Sequence, residues 1–359
     1  MADSTRILAE KSAALLIRAA VTKAIRDFFD AQGFLAVDTP VRLRAPALER
    51  HIDAEPSGSL FLRTSPELHM KQLLAAGYDR IYQLGPCFRR GEQGRLHHPE
   101  YTMLEWYRSN ADYRDILNDT IALVRAIQRA LSQSSRDTFS AHSPGNTEVA
   151  PPAHIAKSEG LQESSGGTRS VASSENKQGS IGGWHQAEPL QWQQQSIRLQ
   201  DEWLQMTVQE AFQKWAGWDP VSDYDADRFD LDLIEKVEPA LAREQTPVIL
   251  MDYPAPAAAL ARRKPDQPEV AERWELYIGG IEIANAYSEL TNVEEQRARF
   301  EQCAKEREAA GLTVYPLDEA FLEALPHMPP SGGIALGVDR LVMLFADCAT
   351  LADITAFLE

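Results

Sequence analysis

Residues 81–107 decide the fold, and they read IYQLGPCFRRGEQGRLHHPEYTMLEWY. Two apolar segments lie on either side of the polar, basic loop 90–98, which predicts an antiparallel hairpin with a long loop. The alternation of a strand would place four side chains on one face: Tyr101, Met103, Glu105 and Tyr107. A carboxylate between Met and Tyr requires a cationic partner or a raised pKa. The partner of Glu105 is therefore either an internal Arg or Lys or the ammonium of a substrate.

Upstream of the hairpin, the sequence predicts a helix followed by a short strand. Four apolar residues recur at a spacing of three to four residues within 12–32: Ile17, Val21, Ile25 and Phe28. Gly33 suits the position just beyond the C-terminus of this helix. The strand 34–37 is closed by Thr39-Pro40, and proline restricts it to a sheet edge or a turn. This helix-strand-proline unit is suited to a subunit contact, so we expect a homodimer.

A second helix is predicted to open at Thr64-Ser65-Pro66-Glu67 and to run to Gly77. Proline is favoured in a first turn, and T-x-x-E is typical of a capping box in which the glutamate reaches back to the threonine amide. Glu67 therefore either caps the helix or holds a ligand amine at the helix mouth. The same pattern at Thr207 and Glu210 predicts another capped helix.

Residues 274–289 predict a second hairpin around the two-residue turn Gly279-Gly280. On its second strand, Glu282 and Glu289 are seven positions apart and would lie on opposite faces of an ideal strand. A bulge or a twist must intervene if both carboxylates serve one site.

Near the end of the sequence, residues 332–344 read GGIALGVDRLVML, which predicts an apolar strand that passes through glycine into an apolar helix. Arg340 lies in the first turn of that helix, where the macrodipole disfavours a cation by roughly 0.3–1 kcal/mol. A bound anion or a salt bridge to a protein carboxylate would remove this penalty.

The composition excludes several classes of protein. With 36 Lys and Arg against 53 Asp and Glu, the net charge is −17, which argues against a general nucleic-acid binder. Three cysteines without a C-x-x-C pair exclude a disulfide scaffold and argue against a structural zinc site. The sequence has no apolar run near the roughly 18 residues of a membrane span and no signal-like start. We therefore expect a soluble, cytoplasmic protein.

The segment 132–183 has a different composition, with 12 Ser and 7 Gly in 52 residues. Such a stretch buries too little apolar surface to offset the entropy of ordering it. We predict a disordered insertion between two stretches, 1–131 and 184–359, that together form one domain. A neutral surface insertion is favoured over a phosphorylatable tether, because flexible loops lengthen at small cost.

The catalytic motifs of P-loop enzymes, serine hydrolases, zincins and dinucleotide-binding proteins are absent from the sequence. What remains is a set of arginines and carboxylates on the predicted strands and helix ends. Arginine forks bind phosphates, and Mg²⁺ prefers carboxylates together with substrate phosphates. The residues suited to ATP and Mg²⁺ are Arg89, Arg340, Glu275 and Glu282. The carboxylates suited to an amine are Glu67, Glu105 and Glu289.

Three blocks of the sequence resemble the three motifs of the class II aminoacyl-tRNA synthetases. The helix before Thr39-Pro40 is similar to motif 1, Phe88-Arg89 through Tyr107 to motif 2, and 337–341 to motif 3. The block 280–290 is similar to the lysine-specific block of that class. The resemblance implies an α+β catalytic domain with a mostly antiparallel sheet flanked by helices. Because motif 1 begins within about 12 residues of Met1, we expect no anticodon-binding domain.

The resemblance also implies roles for individual residues. ATP would be bound by Arg89, Glu92, His98, Glu282, Ile283, Gly337 and Arg340, and the two arginines would be catalytic. Mg²⁺ would be held by Glu275 and Glu282. The amino substrate would be bound by Ser65, Glu67, Glu105, Tyr107 and Glu289.

Two positions depart from the family pattern. Motif 2 often reads Phe-Arg-x-Glu, but here the acid arrives later, at Glu92, and His98 stands where asparagine is common. The group that reads the adenine amine is therefore left open. The resemblance further implies (R)-β-lysine or lysine as the substrate and a lysine side chain of elongation factor P as the acceptor. A tRNA or small-molecule acceptor and a catalytically silent regulator are the alternatives.

Overall fold

The computed structural model describes residues 3–137, 188–258 and 260–358, which form an α+β fold. The strands are β1 (Leu35–Ala36), β2 (Arg42–Leu43), β3 (Pro56–Ser57), β4 (Leu60–Leu62), β5 (Arg80–Phe88), β6 (Glu100–Ser109), β7 (Leu190–Trp192), β8 (Gln195–Ile197), β9 (Leu204–Thr207), β10 (Val248–Pro254), β11 (Val270–Ile278), β12 (Ile281–Ser288) and β13 (Ser331–Gly337). The α-helices are α1 (Asp3–Glu10), α2 (Ser12–Ala31), α3 (Glu67–Ala75), α4 (Tyr113–Asp137), α5 (Val208–Trp215), α6 (Ala226–Asp232), α7 (Glu238–Leu241), α8 (Val293–Ala309), α9 (Glu319–Ala324), α10 (Val338–Phe345) and α11 (Leu351–Ile354). Short 3₁₀ turns at Ala255–Ala257 and Leu325–His327 and a π-helical turn at Leu233–Val237 complete the elements.

Eight strands form one large sheet, in the order β1-β5-β6-β13-β12-β11-β10-β9. Neighbouring strands are antiparallel except at the two edges, where β1 pairs with β5 and β9 with β10 in parallel. Strands β2, β4 and β3 form a small second sheet, and β7 and β8 form a separate hairpin. The predicted fold class, with a mostly antiparallel sheet flanked by helices, is confirmed.

The main hydrophobic core lies between one face of the large sheet and the helices α2, α4 and α10. Ile17, Val21 and Ile25 of α2 are buried there, as their spacing predicted. The helix ends where expected, because Gly33 adopts φ +72° and its amide donates to the carbonyl of Asp30 at 3.1 Å. The following strand, β1, is an edge strand, which confirms the prediction that the proline after it restricts the strand to a sheet edge or a turn.

Strand β6 separates the core from the opposite face of the sheet. Leu104 and Trp106 point into the main core, whereas Glu105 and Tyr107 point to the other side, toward α3. The predicted hairpin of β5 and β6 is confirmed over a continuous register from Arg80 and Arg108 to Phe88 and Glu100. This second face carries the candidate site described below.

The hairpin of β11 and β12 contains the predicted irregularity. Gly279 and Gly280 both adopt positive φ, as a tight two-residue turn requires. Tyr277 pairs with Glu282, but its neighbour Leu276 pairs with Ala284, so one extra residue lies on β12. Because this bulge shifts the alternation of side chains by one position, Glu282 faces the same side of the sheet as Asn285 and Tyr287, whereas Ala284 and Ala286 pack in the main core.

The predicted capping box at Thr64 is wrong, whereas the one at Thr207 is confirmed. At α5, the Thr207 side chain accepts from the Glu210 amide and Glu210 reaches back to the Thr207 amide. At α3, the Glu67 amide donates instead to Ser65 Oγ at 2.9 Å, and the Glu67 carboxylate does not reach Thr64. A buried lysine and a tyrosine from β12, described below, hold that carboxylate.

Helix α4 continues to Asp137, so the start of the predicted insertion is corrected from 132 to a position beyond this helix. The rest of that prediction, residues 138–183, lies outside the described residues. Among the helices of the described ranges, none has both the length and the apolar character that crossing a bilayer requires.

Candidate active site

A cavity of about 480 Å³ opens on the second face of the sheet, between the β5–β6 loop and the strands β11, β12 and β13. All of the residues predicted to bind ATP or Mg²⁺ line it: Arg89, Glu92, His98, Glu275, Glu282, Ile283, Gly337 and Arg340. They come from parts of the chain as far apart as 89 and 340, and the fold brings them together. We call this space the ATP cavity, after the prediction.

Arg340 lies at the N-terminus of α10, as expected, and points into this cavity. Its Nη1 donates to the carbonyl of Glu282 at 2.8 Å and lies 3.2 Å from the Glu282 carboxylate, while Nε donates to the carbonyl of Leu96 at 3.2 Å. The Glu282 carboxylate therefore forms a salt bridge with Arg340, which is one of the two alternatives given by the sequence. The guanidinium remains at the wall of the cavity, where it can also meet an anion.

Arg89 is the second cation of the cavity. Its guanidinium lies 5.3 Å from the ring centre of Tyr101 and 3.7 Å from Glu92. Burial would lower the pKa of Arg89, but Tyr101 and the neighbouring glutamates raise it above its ordinary value. Its Nε is buried and has no hydrogen-bond partner among the described residues. A buried, unpaired donor on a permanent cation fits a phosphate ligand.

A group of carboxylates lies on the opposite wall. Glu275 accepts from Tyr253 at 2.5 Å and Tyr277 at 2.7 Å through one oxygen and is paired with Arg273 at 2.6 Å through the other. Burial, followed by the charges of Glu275 and Glu282, raises the pKa of Glu238 to about 7. Both oxygens of Glu275 are already engaged, and a divalent cation would therefore compete with Arg273 for this carboxylate.

A second, smaller group lies between α3 and the same face of the sheet, and we call it the amine pocket. It consists of Ser65, Glu67, Lys71, Glu105, Tyr107, Tyr287 and Glu289. All five residues predicted to bind the amino substrate belong to it. Lys71 and Tyr287 were not predicted.

Glu105 is buried in this pocket without an ion pair to the described residues. It accepts hydrogen bonds from Ser65 Oγ at 2.6 Å and from the Tyr107 hydroxyl at 2.9 Å. Burial, and then the charge of Glu67, raises the pKa of Glu105 to about 8. The internal Arg or Lys that was one of the two alternatives for Glu105 is thus not found, and a substrate ammonium would supply the missing cation.

Lys71 is the internal cation of the pocket, but it is paired with the other two glutamates. Its Nζ lies 2.5 Å from Glu67 Oε1 and 2.5 Å from Glu289 Oε2. Burial would lower the pKa of Lys71, and the charges of Glu289 and Glu67 raise it instead. Burial raises the pKa of Glu289 to about 8. The sequence held one signal for this pairing, since Lys71 follows Glu67 by four positions on a helix.

The register of the sheet makes the two groups neighbours. Asn285 on β12 pairs with Ala335 on β13, and Ala335 pairs with Glu105 on β6. Asn285 and Ala335 line the ATP cavity, while Glu105 belongs to the amine pocket. A molecule with an ammonium in the amine pocket would therefore extend across one strand into the ATP cavity.

The ATP cavity also has lining residues that were not predicted, and Glu49, Arg273 and Asp339 are among them. Asp339 is paired with Arg18 at 2.6 Å and accepts from the Thr102 amide at 2.7 Å, which ties α10 to α2 and β6. His98 and Glu92, the positions that depart from the family pattern, both reach the cavity, so either is placed to meet a nucleotide.

Comparison with known proteins agrees with this geometry. The sequence model of the family "tRNA synthetases class II (D, K and N)" matches residues 6–359. A protein of Hamiltonella defensa named elongation factor P--(R)-beta-lysine ligase is 35% identical over 96% of this chain and 94% of its own length. Proteins of the same name from Erwinia tasmaniensis and Edwardsiella ictaluri are each 36% identical over the same shares.

Proposed function

The chain belongs to the class II tRNA synthetases of the D, K and N group, and from this we propose that it is an ATP-dependent ligase that attaches (R)-β-lysine or lysine to a lysine side chain of elongation factor P. The relatives of similar length carry the name of this reaction. One observation in the structure supports it most directly: a buried cluster of carboxyl groups suited to an ammonium and a cavity with two arginines adjoin across a single strand.

In the first step, a carboxylate oxygen of the amino acid attacks the α-phosphorus of ATP. A new O–P bond forms, the bond to the bridging oxygen breaks, and pyrophosphate leaves with its electrons. Arg89 and Arg340 stabilise the phosphate charge, and the amine pocket holds the substrate so that its carboxylate reaches the phosphorus. The reaction requires no protein nucleophile.

Glu275 and Glu282 would hold Mg²⁺ against the triphosphate. Their carboxylates face one cavity, and Glu282 uses one oxygen for Arg340 while the other has no partner among the described residues. When bound, the cation would neutralise phosphate charge, with phosphate oxygens and water completing its coordination.

In the second step, the amine of the acceptor lysine attacks the carbonyl carbon of the adenylate. The C–N bond of an amide forms, the C–O bond to the phosphate breaks, and AMP leaves. The substrate ammonium remains in the amine pocket, where Glu105, Tyr107 and Glu289 select a positively charged side chain. Glu67 would meet the second amine of the substrate.

We further propose a homodimer formed through α2, β1 and Thr39-Pro40, acting in the cytoplasm. Leu35 on the edge strand is 49% exposed in the single chain, which suits a subunit contact. Light scattering coupled to gel filtration would measure the mass, and a monomer would contradict the dimer.

The experiment that tests the function follows both steps. ATP–pyrophosphate exchange is measured with (R)-β-lysine, with lysine and without either, and labelled substrate is then offered to elongation factor P and to tRNA. Glu105→Gln should abolish exchange, and Glu202→Gln, which removes an exposed carboxylate before β9, should leave it intact. Label on tRNA alone would favour a tRNA acceptor, and ligand binding without exchange would favour a silent regulator.

A further inference from the structure

Three cavities meet at the loop 48–53, which joins β2 to β3. The ATP cavity, a cavity of about 720 Å³ and one of about 280 Å³ are all lined by Glu49. The 720 Å³ cavity lies between this loop, α6, α8 and the turn 255–257, and we call it the outer cavity. It shares Glu49, His51, Arg273 and Glu275 with the ATP cavity, so the two adjoin at these residues.

The carboxylate of Glu49 is half-buried and has no hydrogen bond or ion pair with the residues that the structure describes. Its backbone, in contrast, is held firmly by Arg307 of α8. Arg307 Nη1 donates to the carbonyl of Glu49 at 2.7 Å and to that of Ile52 at 3.0 Å, and Nη2 pairs with Asp53. A carboxylate at the junction of three cavities that forms no ion pair with the described residues is available to a cationic ligand.

Charged groups from several elements face this carboxylate. They are Arg89 and Glu92 of the β5–β6 loop, Glu67 of α3, Arg273 of β11, His51 of the same loop and Asp230 of α6. Burial raises the pKa of Glu49 above its usual range, and the charge of Arg89 opposes this rise. The carboxylate is therefore a stronger proton acceptor than an exposed one.

The lining of the outer cavity combines apolar and charged side chains. The apolar ones include Leu48, Phe229, Leu233, Tyr253, Pro256 and Ala257, and the charged ones include Arg50, Arg263, Glu295 and Arg299. The methylenes of a lysine side chain could pack on the apolar part while its ammonium reaches the carboxylate of Glu49. The substrate amino acid and ATP would lie in the ATP cavity, which adjoins the outer cavity at Glu49.

We infer that Glu49 receives the ammonium of the acceptor lysine from the outer cavity and takes a proton from it before the transfer step. The inference rests on the proposed function, because it requires an amine acceptor. Nearly all lysine side chains are protonated at pH 7, since their pKa is about 10.4. One proton passes to Glu49, the free amine attacks the carbonyl carbon, the C–O bond to AMP breaks, and the second N–H proton leaves with the phosphate or solvent.

The test separates the two chemical steps. Adenylate is formed on the enzyme from ATP and (R)-β-lysine, and transfer of labelled substrate to elongation factor P is followed in a single turnover. Because the negative charge of Glu49 lies near Arg89 and is not needed to bind the triphosphate, any loss of pyrophosphate exchange in Glu49→Gln should be much smaller than its loss of transfer. Its transfer rate at pH 7 should fall by about 10²-fold or more.

The pH profile distinguishes a base from a structural residue. Transfer by Glu49→Gln should recover by about tenfold per pH unit toward the pKa of lysine, whereas wild-type transfer should level off at lower pH. Glu49→Asp should retain part of the rate. Glu308→Gln, which removes an exposed carboxylate of α8 that does not line the outer cavity, should transfer normally.

Three results would overturn the inference. One is wild-type transfer by Glu49→Gln, another is an equal loss in Glu308→Gln, and the third is a loss of pyrophosphate exchange as large as the loss of transfer. Wild-type enzyme that exchanges pyrophosphate but never labels elongation factor P would instead remove the proposed acceptor, and the inference with it.

Discussion

Lys71 Nζ lies 2.5 Å from Glu289 Oε2, and both side chains are at most 1% exposed. The same ammonium is 2.5 Å from Glu67, so one internal cation is shared by two carboxylates. Glu105, the third carboxylate of the amine pocket, receives only hydroxyl hydrogen bonds. Among the described residues the pocket therefore combines three carboxyl groups with one ammonium, and a bound substrate ammonium, as proposed above, would supply a second cation.

This excess of carboxyl groups predicts that binding of lysine releases a proton. The pKa of Glu105 is raised to about 8, so at pH 7 the free pocket holds a proton on this group that a substrate ammonium would displace. Affinity for (R)-β-lysine should rise with pH up to about 8 and then level off, by up to tenfold per unit for each proton released. Calorimetry at pH 6, 7 and 8 in buffers of different ionisation enthalpy would count the protons. Affinity independent of pH in this range would contradict the pocket assignment.

Replacing Lys71 by methionine should destabilise the protein and make it depend on its ligand. Removing one partner of a buried ion pair typically costs about 3–5 kcal/mol, because the remaining charge is left unpaired. A bound substrate ammonium would supply part of the missing charge, so lysine should raise the melting temperature of Lys71→Met more than that of the wild type.

A matched control is available on α2. Lys23 forms the same i,i+4 pair with Asp27, at 2.5 Å, but both side chains are more than half exposed. Lys23→Met should change stability by about 0.5 kcal/mol or less. Equal losses in the two variants, measured by chemical denaturation, would show that burial of the Lys71 pair is not the cause.

The amine pocket also shows where local sequence patterns stop being informative. The pattern T-x-x-E occurs at Thr64 and at Thr207, and it forms a capping box only at the second position. Glu67 is drawn away by Lys71 and by the hydroxyl of Tyr287, which lies 220 positions further along the chain. Nothing within the four residues of the pattern specifies this tertiary contact.

The strands were predictable for the opposite reason. Alternation within β6 is local, and it directed Glu105 and Tyr107 to one face, where the structure places them. The spacing of Glu282 and Glu289 even required the bulge that the register contains. Glu49 carried no such signal, because it lies in a loop whose position depends on Arg307, far away in the sequence.

Gly333 should be essential to the shape of the amine pocket. It pairs with Tyr107 across β13 and β6, and a Cβ there would overlap both the Tyr107 ring and Glu289 Oε1. The Tyr107 ring and the Glu289 carboxylate are buried and held by Glu105 and Lys71, so neither can move aside freely. Gly333→Ala should therefore displace them and lower lysine-dependent pyrophosphate exchange by about 10²-fold. Binding of ATP alone, measured by fluorescence or calorimetry, should be nearly unchanged.

Gly94 in the β5–β6 loop provides the comparison for this substitution. A Cβ at Gly94 meets nothing within 4 Å, so Gly94→Ala should leave exchange within about twofold of the wild type. If Gly333→Ala binds and activates lysine as well as Gly94→Ala does, the close contact between β13 and Glu289 has no part in recognition.

The last prediction concerns the divalent cation, and it follows from how Glu282 divides its two oxygens. One lies 3.2 Å from Arg340 Nη1, and the other has no partner among the described residues. Glu282→Gln keeps an oxygen for Arg340 but removes the charge, so the Mg²⁺ concentration for half-maximal exchange should rise at least about tenfold while the rate at saturating Mg²⁺ is partly retained. Binding of Mn²⁺ in the presence of ATP, followed by electron paramagnetic resonance, gives the same comparison without turnover.

Glu238→Gln removes a neighbouring carboxylate that is not assigned to the metal, and it should relieve repulsion without raising the Mg²⁺ requirement. If Glu238→Gln raised the Mg²⁺ requirement and Glu282→Gln left it unchanged, Glu238 rather than Glu282 would be the carboxylate that binds the cation.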